Sequence, residues 1–90
     1  MAVEVRWLDQ ARDDLGDILD YIAAENPAAA ERYVTELYAA CARLASFPQS
    51  GRRYNDAFRV LIFRNHLIFH HYDEAAGIVS IVMVLDGRRD

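Results

Sequence analysis

The residues able to do chemistry gather in the second half of the chain. His66, His70 and His71 lie between positions 52 and 71 together with Arg52, Arg53, Arg59 and Arg64, and Asp56 is the only acid in that stretch. Metal binding is the first chemistry to test. His70 and His71 are adjacent, and adjacent residues on a β-strand point to opposite faces, so they cannot share an ion. His66 and His70 share a face but stand about 13 Å apart along a strand that rises about 3.3 Å per residue. Cys41 is the only cysteine, so no thiolate pair completes a tetrahedral zinc site. No metal and no cofactor are expected.

Nucleophilic catalysis fares little better. Cys41 falls on the apolar stripe of a helix, where a cysteine usually acts as a small inert hydrophobe. There is no G-x-S-x-G turn and no phosphate-cradling glycine loop. Asp13, Asp14, Asp17 and Asp20 lie mostly off the apolar stripe of the first helix, which reads as a solvated charge run rather than an acid/base pair. All ten cationic residues are Arg, which removes Lys as a nucleophile or base. What is left is a set of Arg, His and Tyr. Arg52, Arg53 and Tyr54 belong to a loop, and Arg59 lies on a strand with Leu61 and Phe63 on its side. His70 and Tyr72 share one face of the next strand, and Arg88 and Arg89 stand near the end. Such a set can hold phosphates and move a proton, as an RNA-cleaving site must. The commoner outcome is histidines packed at strand edges and arginines paired with surface acids.

The elements that must position these residues follow from period and punctuation. Val3, Val5 and Trp7 alternate with Glu4 and Arg6 and predict a short half-exposed strand. Leu8, Ala11, Leu15, Ile18, Leu19 and Ile22 form one helical stripe, with Asp9 expected at the N-cap. Gly16 inside that helix suggests a close helix crossing, since Gly there costs about 1 kcal/mol relative to Ala. Asn26-Pro27 ends the first helix and opens a second, whose stripe is Ala30, Tyr33, Val34, Leu37, Cys41 and Leu44. So short a link folds the two back as an antiparallel αα-hairpin. After the loop SFPQSGRRY the period changes. Phe58 to Phe63, Leu67 to Tyr72 and Ile78 to Leu85 are β-rich runs separated by short turns, which predicts an antiparallel meander.

The run IVSIVMVL is apolar at nearly every position and belongs inside the sheet. The hairpin covers one face only. The other is covered by something else or left as an apolar surface for a partner.

Composition sets the outer bounds. Ninety residues make one domain, 1–90, that buries about 60–65% of its unfolded surface. At 53% apolar and 27% charged, the chain is too apolar for disorder. No apolar run approaches the roughly 20 residues needed to span a bilayer, and MAVEVRWLDQ is no secretory signal. The expected location is therefore the cytoplasm, with no membrane partner, and a lone cysteine suits a reducing compartment. The net charge of −4 argues against a general nucleic-acid coater. It hides an asymmetry: residues 1–46 carry four Arg against nine acids, whereas residues 47–90 carry six Arg against five.

Taken in order, several segments resemble ParE-type toxins of the RelE/ParE toxin–antitoxin superfamily. They are VRW, then A-x-x-DL-x-x-I-x-x-YIA from Ala11 to Ala23, NP-x-AA, and L-x-x-FP-x-SGR from Leu44 to Arg52. Arg59, His66, Tyr72 and the closing LDGRRD complete the set. Many relatives close on HGRRD, and here Asp86 replaces that His. The resemblance implies an α+β fold, β-α-α-β-β-β, with the helical hairpin packed on an antiparallel sheet. It also implies a toxin that targets DNA gyrase and binds rather than catalyses. Its partner would be a ParD-like antitoxin with a ribbon-helix-helix DNA-binding N-terminus and an acidic C-terminal tail, and nucleic acid would be met only through that antitoxin. Residues expected to meet antitoxin or target are Arg52, Arg53, Tyr54, Arg59, Leu61, Phe63, His70, Tyr72, Arg88 and Arg89. The sister branch, RelE-like messenger-RNA endonucleases, is the alternative, with Arg59, His70, Arg88 and Arg89 as participants. A further alternative is a non-toxic relative that only helps its antitoxin repress transcription.

Overall fold

The computed structural model describes residues 3–87. Strand β1 (Glu4–Trp7) leads into α1 (Asp9–Glu25) and α2 (Pro27–Ala42), followed by a short 3-10 turn (Arg43–Ala45). Then come β2 (Arg52–Arg53), β3 (Arg59–Phe63), β4 (His66–Asp73) and β5 (Ile78–Asp86). They build one sheet in the order β1-β5-β4-β3-β2. The expected meander is present, with β3, β4 and β5 antiparallel. The structure adds two strands to it. β1 joins β5 in parallel, so the sheet is mixed. Arg52–Arg53, expected in a loop, pairs with the start of β3. Two residues are too few for a periodic signal. Gly51 makes the pairing possible: its φ is +90° and a Cβ there would stand 2.4 Å from the Val60 carbonyl oxygen, so no larger residue fits.

The helix hairpin forms as its punctuation dictates. The Asn26 side chain accepts a hydrogen bond from the Ala29 N–H at 3.1 Å, and Pro27 occupies the first position of α2. Such a cap contributes about 1 kcal/mol. The first helix differs from expectation at its start. Leu8, not Asp9, is its N-cap, with no side-chain cap bond; Leu8 instead donates its N–H to the Ile81 carbonyl. Gly16 marks no close crossing, since a side chain there would meet open space.

Ala11 and Leu15 of α1, with Tyr33, Leu37 and Cys41 of α2 and the following Leu44, pack on Ile68, Val79, Ile81 and Val84 of the sheet. Strand β5 is interior, between β1 and β4, but its unbroken apolar run has a further cause. Phe69 pairs with Met83 and His70 with Ile81, so Val82 is an extra residue, a β-bulge. The bulge reverses the in-out parity of the strand. Val79 and Ile81 face the helices before it and Val84 faces them after it.

β1 ends at Trp7, opposite Ile81, leaving the far half of β5 without a neighbour on that side. There the Asp14 carboxylate accepts the Val84 N–H at 2.9 Å. Asp14 is therefore a tertiary anchor between helix and sheet, a correction to its reading as one of a row of solvated acids. Asp14→Ala should lower the unfolding free energy by about 1–3 kcal/mol, while Asp14→Asn, which keeps an acceptor, should lose less. The urea midpoints of the two variants check this; equal midpoints for Asp14→Ala and the native chain would show that the bond contributes nothing.

Candidate functional site

The helices cover one face of the sheet, and the register defines what the other face carries. Residues paired directly across strands share a face. One cross-strand row on the open face is Ile62, Leu67 and Leu85, and the next is Val60, Phe69 and Met83. Ile62 is 57% exposed and Leu85 43%. Val60 and Phe69 are buried, and Tyr54 lies edge-on to Phe69 with ring centroids 5.1 Å apart. Arg52 pairs with Val60 and borders this surface. The result is an aliphatic and aromatic patch with arginine at its rim, the expected open apolar surface.

The second feature is a notch in the sheet edge. β4 runs on to Asp73 while β3 begins only at Arg59, opposite His70. The loop between β2 and β3 curls around the gap, and Pro48 and Gln49 close its side. The hollow, of about 240 Å³, is lined by Arg53, Asp56, Arg59, His70, His71, Tyr72 and Glu74 among others. Arg53, Arg59 and His70 form a single cross-strand row. Arg53 is ion-paired to Asp56. Arg59 donates to the Gly51 carbonyl at 3.2 Å.

The two adjacent histidines meet opposite fates. His71 is exposed, and its Nδ1 lies 2.7 Å from the Ala57 carbonyl oxygen. A carbonyl only accepts, so Nδ1 carries a proton and donates it to Ala57. His70 is 1% exposed, and neither ring nitrogen has a hydrogen-bond partner. Burial pushes its pKa below the ordinary 6.5, and the Arg59 charge adds to that; the nearby Ser50 backbone pulls the other way without making a hydrogen bond of normal geometry. His70 thus lines the notch with almost no exposed surface.

The expected site residues thus divide. The notch brings together Arg53, Arg59, His70 and Tyr72. Arg52 and Tyr54 belong to the open face. Leu61 and Phe63 turn inward and pack against the core, with Tyr33 edge-on to Phe63, so the outward apolar residue of β3 is Ile62. Arg88 and Arg89 lie outside the described residues. Sequence reasoning missed Ile62, Leu67, Met83 and Leu85, whose alternation was the available signal but whose sense depends on the bulge. It also missed His71, because no local pattern announces the Ala57 carbonyl. Cys41 is buried as expected, and burial pushes its thiol up to about 12.

This architecture is similar to that of solved toxin–antitoxin proteins. The chain superposes on a chain of the chromosomal ParDE TA system from P. aeruginosa with a TM-score of 0.79 at 18% identity, covering 94% of this chain and 96% of that one. It superposes on a chain of the toxin–antitoxin complex RelBE2 from Mycobacterium tuberculosis with a TM-score of 0.64 at 18% identity, covering 96% and 99%. The fold class is therefore RelE/ParE-like. Sequence narrows it further. Residues 5–90 match the family described as ParE toxin of type II toxin-antitoxin system, parDE. Toxin RelE2 of Caulobacter vibrioides is 34% identical over 86 residues, 96% of this chain and 97% of that protein. The chain belongs to the ParE toxin family, within the RelE/ParE superfamily.

The buried His70 makes stability depend on pH. Its folded pKa is depressed, so the unfolded chain takes up a proton first as pH falls through 6.5. The stability is full above that value and is lost as pH drops toward the folded pKa, at no more than about 1.4 kcal/mol per pH unit. His70→Phe should lose less stability than the native chain between pH 7.5 and pH 5; parallel losses in urea titrations would remove His70 as the cause. The Cys41 thiol should resist an aromatic disulfide reagent at pH 8 in the folded protein and react once the chain is unfolded in guanidinium.

Proposed function

We propose that this toxin acts by binding, with DNA gyrase as its target, and that a ParD-like antitoxin neutralises it by covering the open face of the sheet. The observation that carries the reading is that face. Ile62, Leu67 and Leu85 form a continuous apolar row that no helix covers among the described residues, and such a surface on a small protein suits a partner chain. Arg52 at its border suits an acidic, amphipathic segment, which orders its backbone only on binding. Membership of the ParE family supports the gyrase target. The burial of His70 supports binding over catalysis, because it leaves little access to the base expected of a nuclease. Among the described residues no helix is long and apolar enough to cross a membrane, which is compatible with action in the cytoplasm.

Expression of the chain alone should arrest growth, and co-expression of its antitoxin should restore it. Purified toxin should inhibit gyrase supercoiling or trap gyrase on cleaved DNA. A protein that leaves gyrase untouched yet cuts ribosome-bound message is a RelE-like endonuclease instead, and one that leaves growth normal acts only in repression. Ile62→Glu with Leu85→Glu should weaken antitoxin binding at least tenfold while the melting temperature stays within a few degrees, since both side chains are already exposed. Alanine at Arg88 and Arg89 together should cost toxicity or antitoxin affinity without unfolding the chain.

A further inference from the structure

The cations around the notch are unequally occupied. Arg53 is tied to Asp56, and Arg64, on the hairpin at the other end of β3, is tied to Glu36. Arg59 is half-buried, and among the described residues it has no carboxylate partner; one of its nitrogens donates to the Gly51 carbonyl. That bond orients the planar fork and leaves other N–H groups unspent. Beside it, neither His70 ring nitrogen has a hydrogen-bond partner of normal geometry among the described residues. A half-buried guanidinium next to an unsatisfied imidazole is an arrangement that lacks an anion.

The rim decides which anion. Asp56 and Glu74 both line the notch, and the whole chain carries a net charge of −4. A nucleic-acid strand would bring a second and third phosphate past these acids, and of the two arginines that line the notch among the described residues only Arg59 lacks an ion pair. A lone carboxylate on a peptide brings one charge for one cation, and its two oxygens match the guanidinium fork. The hollow of about 240 Å³ is large enough for an acidic side chain and its hydration, at about 30 Å³ for each water.

We propose that the notch is a socket for a single Asp or Glu side chain of a partner polypeptide, gripped by Arg59 beside the unbonded ring of His70. That the partner supplying this carboxylate is the neutralising antitoxin rests on the toxin–antitoxin reading; the socket itself does not. It is separate from the apolar patch. Arg59 shares a face with Leu61, which packs on the core, whereas Ile62 faces the other way. A partner that uses both must therefore wrap the sheet edge past β2, the shortest strand of the sheet.

The full chain, titrated with the blocked tripeptide acetyl-Ala-Glu-Ala-amide and with its Gln counterpart, tests this. The Arg59 side-chain N–H and His70 ring signals are followed by NMR. The Glu peptide should shift both signals and bind at least fivefold more tightly than the Gln peptide. Arg59→Gln should abolish the difference while the circular dichroism spectrum and melting temperature stay unchanged. Equal responses to the two peptides, or an unaltered Glu response in Arg59→Gln, would overturn the socket. An oligouridylate that displaces the Glu peptide at lower concentration would also overturn it, in favour of a nucleic-acid site. The outcome is separable from toxicity. A chain that arrests no growth but distinguishes Glu from Gln through Arg59 keeps the socket and loses the toxin–antitoxin reading; a toxic chain blind to that difference does the reverse.

Discussion

One helical hairpin cannot bury both faces of a five-stranded sheet. Everything distinctive about this molecule follows from that shortage of cover. The face under α1 and α2 holds the dry core of Leu15, Leu37, Cys41, Leu44, Ile68, Val79, Ile81 and Val84. Among the described residues the other face has no second layer, yet its central residues are still aliphatic. Small globular domains ordinarily place polar side chains on such a surface, so apolar rows there are a cost that a binding partner would offset. Tyr54, folded over Phe69, covers only part of the patch.

The β5 bulge links core and patch. Without the extra residue at Val82, the alternation that sends Val79 and Ile81 inward would send Met83 inward and Val84 outward. With it, Val84 joins the core while Met83 and Leu85 join the open face. The same far half of β5 has no β1 beside it, and Asp14 from α1 accepts the free Val84 N–H instead. A helix side chain thus finishes a sheet edge, and it locks α1 in register with the strand whose outer side carries the patch.

The polar notch is the other consequence of incomplete cover. Because β4 outruns β3, residues of both faces reach one hollow, so His70 and His71 line the same cavity while pointing to opposite sides of the strand. Their environments separate them: the Ala57 carbonyl accepts the His71 Nδ1–H, and burial, with the Arg59 charge beside it, pushes the His70 pKa down. A different pair works at the hairpin end of β4. There the Tyr33 hydroxyl hydrogen-bonds His66 Nδ1. Burial raises the phenol's pKa, with Arg64 opposing and Asp86 reinforcing, so Tyr33 stays protonated and its hydroxyl joins α2 to β4.

Local chemistry was enough to determine both α-helices and every strand but β2. Asn26-Pro27 sets the hairpin turn, the two stripes of 3.6 period set which side of each helix is buried, and the change to strand-like runs after Phe58 sets the meander. These readings succeed because capping, proline geometry and periodicity act over a few residues. Tertiary structure alone decided the parallel pairing of β1 with β5, the two-residue β2 and the parity switch at Val82, since each depends on a partner strand distant in the chain. It also decided the roles of individual polar groups. Asp14 and Asp13 are alike in sequence, yet only Asp14 meets a free N–H, and His70 and His71 are adjacent, yet one is sealed and the other open. The identity of a polar residue is local, but whether water, a carbonyl or nothing stands beside it is settled by the packing of the whole chain.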